Sequence, residues 1–199
     1  MKILLIGAGG TIGSAIDKEL SERHEIIRIG RNSGDLQVDI SDSTSIRKLF
    51  EQTGKFDALV CAAGNVTFAP LAEMSEDSFA LGLKDKLMGQ VNLLLIGREF
   101  ANDGASFTFT TGVLSHDPIR SGASAALVNG ALDSFVRAAA IELPRGLRVN
   151  SVSPNVLVEA MGKYAPYFRG FKPVAAADVA LAYAKSVEGL QTGQTFHVG

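Results

Sequence analysis

The sequence predicts an α/β fold in which about seven parallel strands form a single doubly wound sheet with helices on both faces. Three observations lead there. Apolar runs of strand length recur along the chain, longer stretches with helical spacing separate them, and a glycine-spaced loop joins the first run to the first helix. Strands alternating with helices return by right-handed crossovers, which makes neighbouring strands parallel.

The strand-like runs are Ile3 to Ile6, Glu25 to Ile29, Leu36 to Val38, Ala58 to Val60, Ser106 to Phe109, Leu147 to Val152 and Thr195 to Val198. The third has polar neighbours and reads as short. Helical spacing marks Thr11 to Ser21, Ser43 to Gln52, Ser75 to Ala101 with a break near Gly82, Gly122 to Leu143, and Ala176 to Val187. Asp42 or Ser43, and Ser75 with Ser78 close by, are N-caps whose side-chain oxygens accept first-turn amides. Pro144 lacks an N–H and stops the long fifth helix. That helix is apolar or small around nearly its whole circumference, with Leu127, Ala131, Phe135 and Ala138 on one face and Val128, Leu132, Val136, Ala139 and Leu143 on another. Such a pattern predicts burial on two sides. One side meets the sheet; the other meets a neighbouring helix or a second subunit, with the Leu83 to Gly97 helix as its counterpart.

At 199 residues and 46% hydrophobic, the chain can bury a full core, and no shift in composition argues for a second unit, so one domain spanning residues 1–199 is expected. A net charge of −2 without a basic cluster argues against nucleic acid and against an anionic membrane surface. No stretch approaches the roughly 20 apolar residues of a membrane span, and the N-terminal run is strand-length and ends in glycines, unlike an export signal. Cys61, the single cysteine, cannot form an internal disulfide, which fits a cytoplasmic setting. His24, His116 and His197 lie far apart, so no metal site is expected.

The loop Gly7-Ala8-Gly9-Gly10-Thr11-Ile12-Gly13 carries the chemistry. Glycines at 7, 10 and 13 let the chain turn sharply, bring backbone close to a pyrophosphate and pack the helix on the strand. The helix N-terminus then offers unpaired N–H groups to an anion, with Thr11 and Ser14 able to add hydroxyl donors. This is the phosphate loop of a Rossmann-type dinucleotide site. About 20 residues on, where a carboxylate usually holds the ribose 2′-hydroxyl, the chain reads Ile29-Gly30-Arg31-Asn32. Arg31 offers a fork of donors suited to a 2′-phosphate and no carboxylate stands there to repel it, so NADP(H) is favoured over NAD(H). Asp39 and Ile40, after the third strand, offer an acceptor and an apolar wall to the adenine.

Across essentially its whole length the chain resembles the short-chain dehydrogenase/reductase family. Cys61-Ala62-Ala63-Gly64 is similar to the family's Asn-Asn-Ala-Gly turn, and Lys86-Leu87-Met88-Gly89 to its Asn-x-x-Gly. Asn129 to Glu142, with Ala131, Leu132, Arg137, Ala140 and Glu142, resembles the active-site helix. Arg148 to Pro154 resembles the strand leading to a Pro-Gly turn, and Thr192-Gly193-Gln194 the usual approach to the last strand. The resemblance implies cofactor contacts from Ala62, Ala63, Gly64 and Pro154 beside those of the glycine loop. It also implies hydride transfer between a nicotinamide and a small carbonyl or alcohol, in a homo-oligomer.

The family's proton relay uses Tyr-x-x-x-Lys, a serine and an asparagine. Projected onto this chain, the tyrosine position is Ala125 and the lysine position Asn129. The serine position falls at Gly112 or Thr111, and the asparagine position at Lys86. Thr11 replaces the middle glycine of typical members, Asn155 follows Pro154 in place of glycine, and Glu159 stands where the family holds the nicotinamide with a threonine. Ala125 has nothing to donate and Asn129 carries no charge. The catalytic residues are therefore unknown from sequence. Candidate substitutes are His116 in the loop after the fifth strand, Lys86 as a cation supplied from another helix, and Tyr164 or Tyr167 in a lid between Pro154 and Pro173. Ser115-His116-Asp117 is no triad, because adjacent residues do not bring three side chains into one relay. Two readings follow: a divergent NADP(H)-dependent oxidoreductase, or a non-catalytic NADP(H)-binding sensor or interaction protein. An enzyme reusing the pocket for other chemistry, such as isomerisation, is a third.

Overall fold

The computed structural model describes residues 1–199. Its strands are β1 (Lys2–Ile6), β2 (Glu25–Gly30), β3 (Leu36–Gln37), β4 (Phe56–Cys61), β5 (Ala101–Thr110), β6 (Arg148–Pro154) and β7 (Thr195–Val198). They form one sheet in the order β3-β2-β1-β4-β5-β6-β7, parallel at every pairing. The order reverses beside β1, and in open α/β sheets ligands bind at such a switch point, outside the carboxyl ends of the strands.

Side-chain alternation along β1 divides the core in two. Leu4 and Ile6 join a cluster under α2 (Ser43–Thr53), α4 (Met88–Gly97) and α5 (Ala123–Glu142). Ile3 and Leu5 face the opposite way, onto α1 (Thr11–Leu20) and α7 (Ala176–Glu188). The helices form because their apolar positions recur at helical spacing: Ile46, Leu49 and Phe50 bury one stripe of α2. Asp42, not Ser43, caps α2, accepting the Thr44 amide at 2.9 Å. Ser75 and Ser78 form a reciprocal capping box at the start of α3 (Glu76–Gly82). No helix is long and apolar enough to cross a membrane.

One sequence expectation changes in part. The segment expected as helical from Ser75 to Ala101 does break at Gly82, where α3 gives way to a π-helical turn at Leu83–Leu87, but it ends at Gly97 and gives Ala101 to β5. On the second apolar face of α5, Ala131 and Phe135 are half-buried, Phe135 against the core, while Leu127 stays 46% exposed; Ile141 near the end of the helix is 87% exposed and Leu95 of α4 42%. A short helix, α6 (Met161–Tyr164), lies in the segment between β6 and α7, whose Val156 and Phe168 pack with Val113, Leu114 and Ala125 in a small separate cluster.

Candidate functional site

The glycine loop crosses the end of the sheet as tightly as its spacing requires. Gly7 sits at φ +85° with its amide on the Ile29 carbonyl at 2.8 Å, and a Cβ there would come within 2.6 Å of the Ala62 carbonyl oxygen. A Cβ on Gly13 would lie 2.0 Å from the Gly7 oxygen, so only glycine lets α1 pack on the loop. Gly10 is the N-cap without any side-chain bond, and the Thr11, Ile12 and Gly13 amides have no backbone acceptor. Three free N–H groups at the positive end of a helix are what a pyrophosphate needs, and the cradle fits one. Thr11 is exposed and Ile12 half-buried, whereas the Ser14 hydroxyl turns back onto the Ala8 carbonyl at 3.2 Å.

Two cavities flank the Ala62-Ala63-Gly64 turn, and all three residues line both. The first, of about 350 Å³, is walled by Gly7, Gly10, Gly30, Arg31, Val38, Ile40, Asn65 and Asp85. Here the structure corrects the expectation that no carboxylate faces Arg31. Its Nη2 donates to Asp85 Oδ2 at 2.9 Å and lies 3.6 Å from Asp39 Oδ1. Asp85 is only 5% exposed, and its oxygens also accept the Asn65 amide at 2.8 Å and the Asn65 side chain at 3.2 Å. Neighbouring carboxylates raise the Arg31 pKa, chiefly through the hydrogen bond to Asp85. The pair occupies one side of the guanidinium; Nε and Nη1 keep donors for an incoming anion. Asp39 is tied into a turn, accepting the Ser41 hydroxyl at 2.7 Å and its amide at 2.9 Å; these two bonds, aided by Arg31, hold its carboxyl below the usual range. Ile40 is buried and supplies the apolar wall.

The second cavity, of about 340 Å³, opens at the ends of β5 and β6. Ala125 and Asn129, one helical turn apart on α5, both line it, together with Lys86, Thr111, Gly112, Pro154 and Tyr164. Lys86 Nζ donates to Asn129 Oδ1 at 2.8 Å and to the Thr111 carbonyl at 3.3 Å. Burial, against a weaker opposing pull from Asp133, pushes the Lys86 ammonium down to about 8. Asn129, 3% exposed, also donates to the Gly112 carbonyl at 3.5 Å. Gln90, fully buried, ties this wall together: its amide donates to the Lys86 and Thr110 carbonyls, both at 3.2 Å, and its oxygen accepts the Thr110 amide at 2.9 Å.

The remaining candidates separate. His116 is exposed, outside the cavity, with its ring edge-on to His197 at 4.7 Å. Tyr164 lines the cavity, while Tyr167 is 54% exposed and does not. Glu159 turns toward α7, where its carboxylate accepts the Ala176 amide at 3.0 Å and occupies the helix N-terminus. Sequence reading missed Asp85, Asn65 and Gln90. Only the consecutive charges of Lys84-Asp85-Lys86 hinted that this turn does more than pack.

A glycine cradle, a switch point and two cavities that share the Ala62–Gly64 turn define an α/β protein of the Rossmann type. A family model described as enoyl-(acyl carrier protein) reductase matches residues 11–198. The chain belongs to the short-chain dehydrogenase/reductase family, whose members are oxidoreductases that use NAD(P) and act on small molecules. It is 53% identical to the protein lin1944 from Listeria innocua, whose crystal structure matches with a TM-score of 0.99 over 100% of both chains. A small-chain dehydrogenase crystallised in complex with NADPH matches at 26% identity and a TM-score of 0.88, over 100% of this chain and 96% of that one. L-xylulose reductase from Bos taurus is 25% identical over 188 residues, 82% of this chain and 75% of the relative.

Proposed function

We propose that the protein is a divergent NADP(H)-dependent oxidoreductase acting on a small carbonyl or alcohol, with residues 1–199 forming one cofactor-binding domain. The observation that carries this reading is the row of free amides at the start of α1 between two cavities that share the Ala62–Gly64 turn. Gly7, Gly10 and Gly13 give the phosphates access, and Thr11, Ile12 and Gly13 supply donors. Arg31 serves a 2′-phosphate with its unpaired donors, oriented by Asp85, while Asp39 and Ile40 border the adenine side. Ala62, Ala63, Gly64 and Pro154 flank the nicotinamide. When bound, the cofactor supplies or takes a hydride, and this chain's residues hold the acceptor beside it and exclude water from the apolar cavity. The NADPH complex of the related small-chain dehydrogenase supports the cofactor choice.

A second reading, a non-catalytic NADP(H) sensor, is favoured by Ala125 in the projected tyrosine position. Protein, NADPH and a broad panel of carbonyl compounds separate the two: protein-dependent loss of nicotinamide absorbance supports the enzyme, and silence despite tight cofactor binding supports the sensor. The uncovered residues Leu127, Ile141 and Leu95 support a homo-oligomer joined through α4 and α5. Sedimentation as a 21.0 kDa monomer at working concentration contradicts it.

A further inference from the structure

The π-helical turn at Leu83–Leu87 is where the helix departs from its regular winding, and its consecutive residues Asp85 and Lys86 enter different cavities on either side of the Ala62–Gly64 turn. Such turns recur at functional sites because the extra residue re-aims side chains and frees a carbonyl. Here the Lys86 carbonyl is taken by Gln90. Gly64, at φ +128°, presses on the lysine stem so closely that a Cβ there would meet Lys86 carbons at 2.7 to 2.9 Å. The stem is thus clamped by backbone, and the ammonium is delivered into the cavity wall.

What surrounds that ammonium is incomplete. Its two hydrogen-bond partners, Asn129 Oδ1 and the Thr111 carbonyl, are neutral, and no carboxylate pairs with it. Asp85 is spent on Arg31 and Asn65. Asp133 accepts the Ser151 hydroxyl at 2.8 Å, and the Cys61 thiol, pushed up to about 12 by burial, is neutral. An ammonium has three N–H donors, so two partners leave one for a ligand. At position 125 the side chain is only a methyl, and a ligand oxygen can approach. Set beside the family pattern, the residue types of two positions are exchanged: lysine stands at the asparagine position on one helix, and asparagine at the lysine position on the other.

We propose that Lys86 is the catalytic acid of this site, donating a proton to the carbonyl oxygen of the substrate, and that Asn129 is its positioning residue. This rests on the oxidoreductase reading above. As a hydride with its electron pair from a dihydronicotinamide bonds to the carbonyl carbon, the C=O π electrons pass to oxygen. Oxygen takes a proton from Lys86 Nζ, whose N–H bonding pair stays on nitrogen. The neutral amine then recovers a proton from water. With the ammonium titrating at about 8, the reduction rate is level below pH 7 and falls about tenfold per pH unit above 8.

The test uses the full chain with NADPH and three activated carbonyls: phenanthrenequinone, nitrobenzaldehyde and diacetyl. NADPH binding is followed separately by fluorescence. Lys86→Met should leave cofactor affinity within about threefold, lower kcat by about 10² to 10⁴, and abolish the alkaline fall. Lys86→Asn should lose rate likewise, and the double exchange Lys86→Asn with Asn129→Lys should recover at least tenfold of it by returning the cation from the other helix. In the cofactor-free protein, NMR titration of the Lys86 ε-methylene should give a midpoint near 8 that rises when Asn129 is replaced by Asp. A wild type that reduces a carbonyl while Lys86→Met loses less than about 10² overturns the proposal but not the oxidoreductase reading. A wild type that binds NADPH and reduces none of the three overturns both.

Discussion

Replacing Gly13 with alanine tests the phosphate cradle at its tightest point. The new Cβ would lie 2.0 Å from the Gly7 oxygen, 2.8 Å from its carbonyl carbon and 2.9 Å from Ala8 Cα, all backbone atoms. Ordinary contact begins at 3.4 Å, so loop and helix must separate by about 1.4 Å. The loop is held by the Gly7 amide on Ile29 and the helix by Ile16 and Leu20 in the core, leaving little room to give way. Overpacking of this kind costs about 1 to 3 kcal/mol, which lowers the thermal midpoint of a chain this long by about 2 to 12 °C. The movement displaces the same amides that we propose for the pyrophosphate, so NADPH affinity should fall at least tenfold. Gly130→Ala is the control: it lies within α5, nothing stands within 4 Å of its added Cβ, and alanine there should stabilise by about 0.5 to 1 kcal/mol without touching cofactor affinity. Calorimetry and fluorescence titration read both. Wild-type midpoint and affinity in Gly13→Ala would falsify the cradle geometry.

Other outcomes follow from the same interactions. Lys86 has a folded pKa of about 8, below its unfolded value, so folding at pH 7 carries the cost of burying an ammonium. Between about pH 8 and 10.4 the unfolded chain binds the extra proton and this cost fades with rising pH. Lys86→Met should therefore be more heat-stable than wild type at pH 7, with the gap closing by pH 10; an unchanging gap contradicts the shift. Asp85→Asn removes the charge from two hydrogen-bonded partners at a buried position and should cost about 1 to 3 kcal/mol in denaturant unfolding, with a null effect refuting its anchoring role. Leu127→Asp should turn an oligomer into monomers by sedimentation without lowering NADPH affinity, and an unchanged assembly would place the interface elsewhere.

Much of the fold was legible because it is written in local pattern. Ile3 to Ile6 between a lysine and a glycine loop, or Thr195 to Val198 after a Thr-Gly turn, announce strands by composition and punctuation. Asp42 and Ser43 both read as caps, and the structure chooses Asp42. What escaped depends on residues far apart in sequence. Nothing near Arg31 foretells a carboxylate 54 positions on, because Asp85 reaches it only through the π turn and the order of the sheet. Glu159 reads as an intruder at the nicotinamide until α7 folds back and offers the Ala176 amide. His116 reads as a candidate acid by its place after β5, yet the short Val113–Ser115 turn carries it to the surface beside His197. Lys86 was readable as a charge but not as a neighbour of Asn129, since that meeting needs both helices in place.

Titration of the protein with NADPH and with NADH, in wild type and Arg31→Ala, asks whether the glycine cradle and Arg31 hold NADP(H). A charge-assisted contact of about 1.5 to 3 kcal/mol predicts that NADPH binds more tightly than NADH and that the variant loses about 10- to 150-fold for NADPH alone. With the guanidinium gone, Asp85 and Asp39 are left to repel the 2′-phosphate, which pushes the loss toward the upper end. Binding of neither nucleotide would mean that the cradle holds no dinucleotide, and equal weakening of both in the variant that Arg31 does not meet a 2′-phosphate.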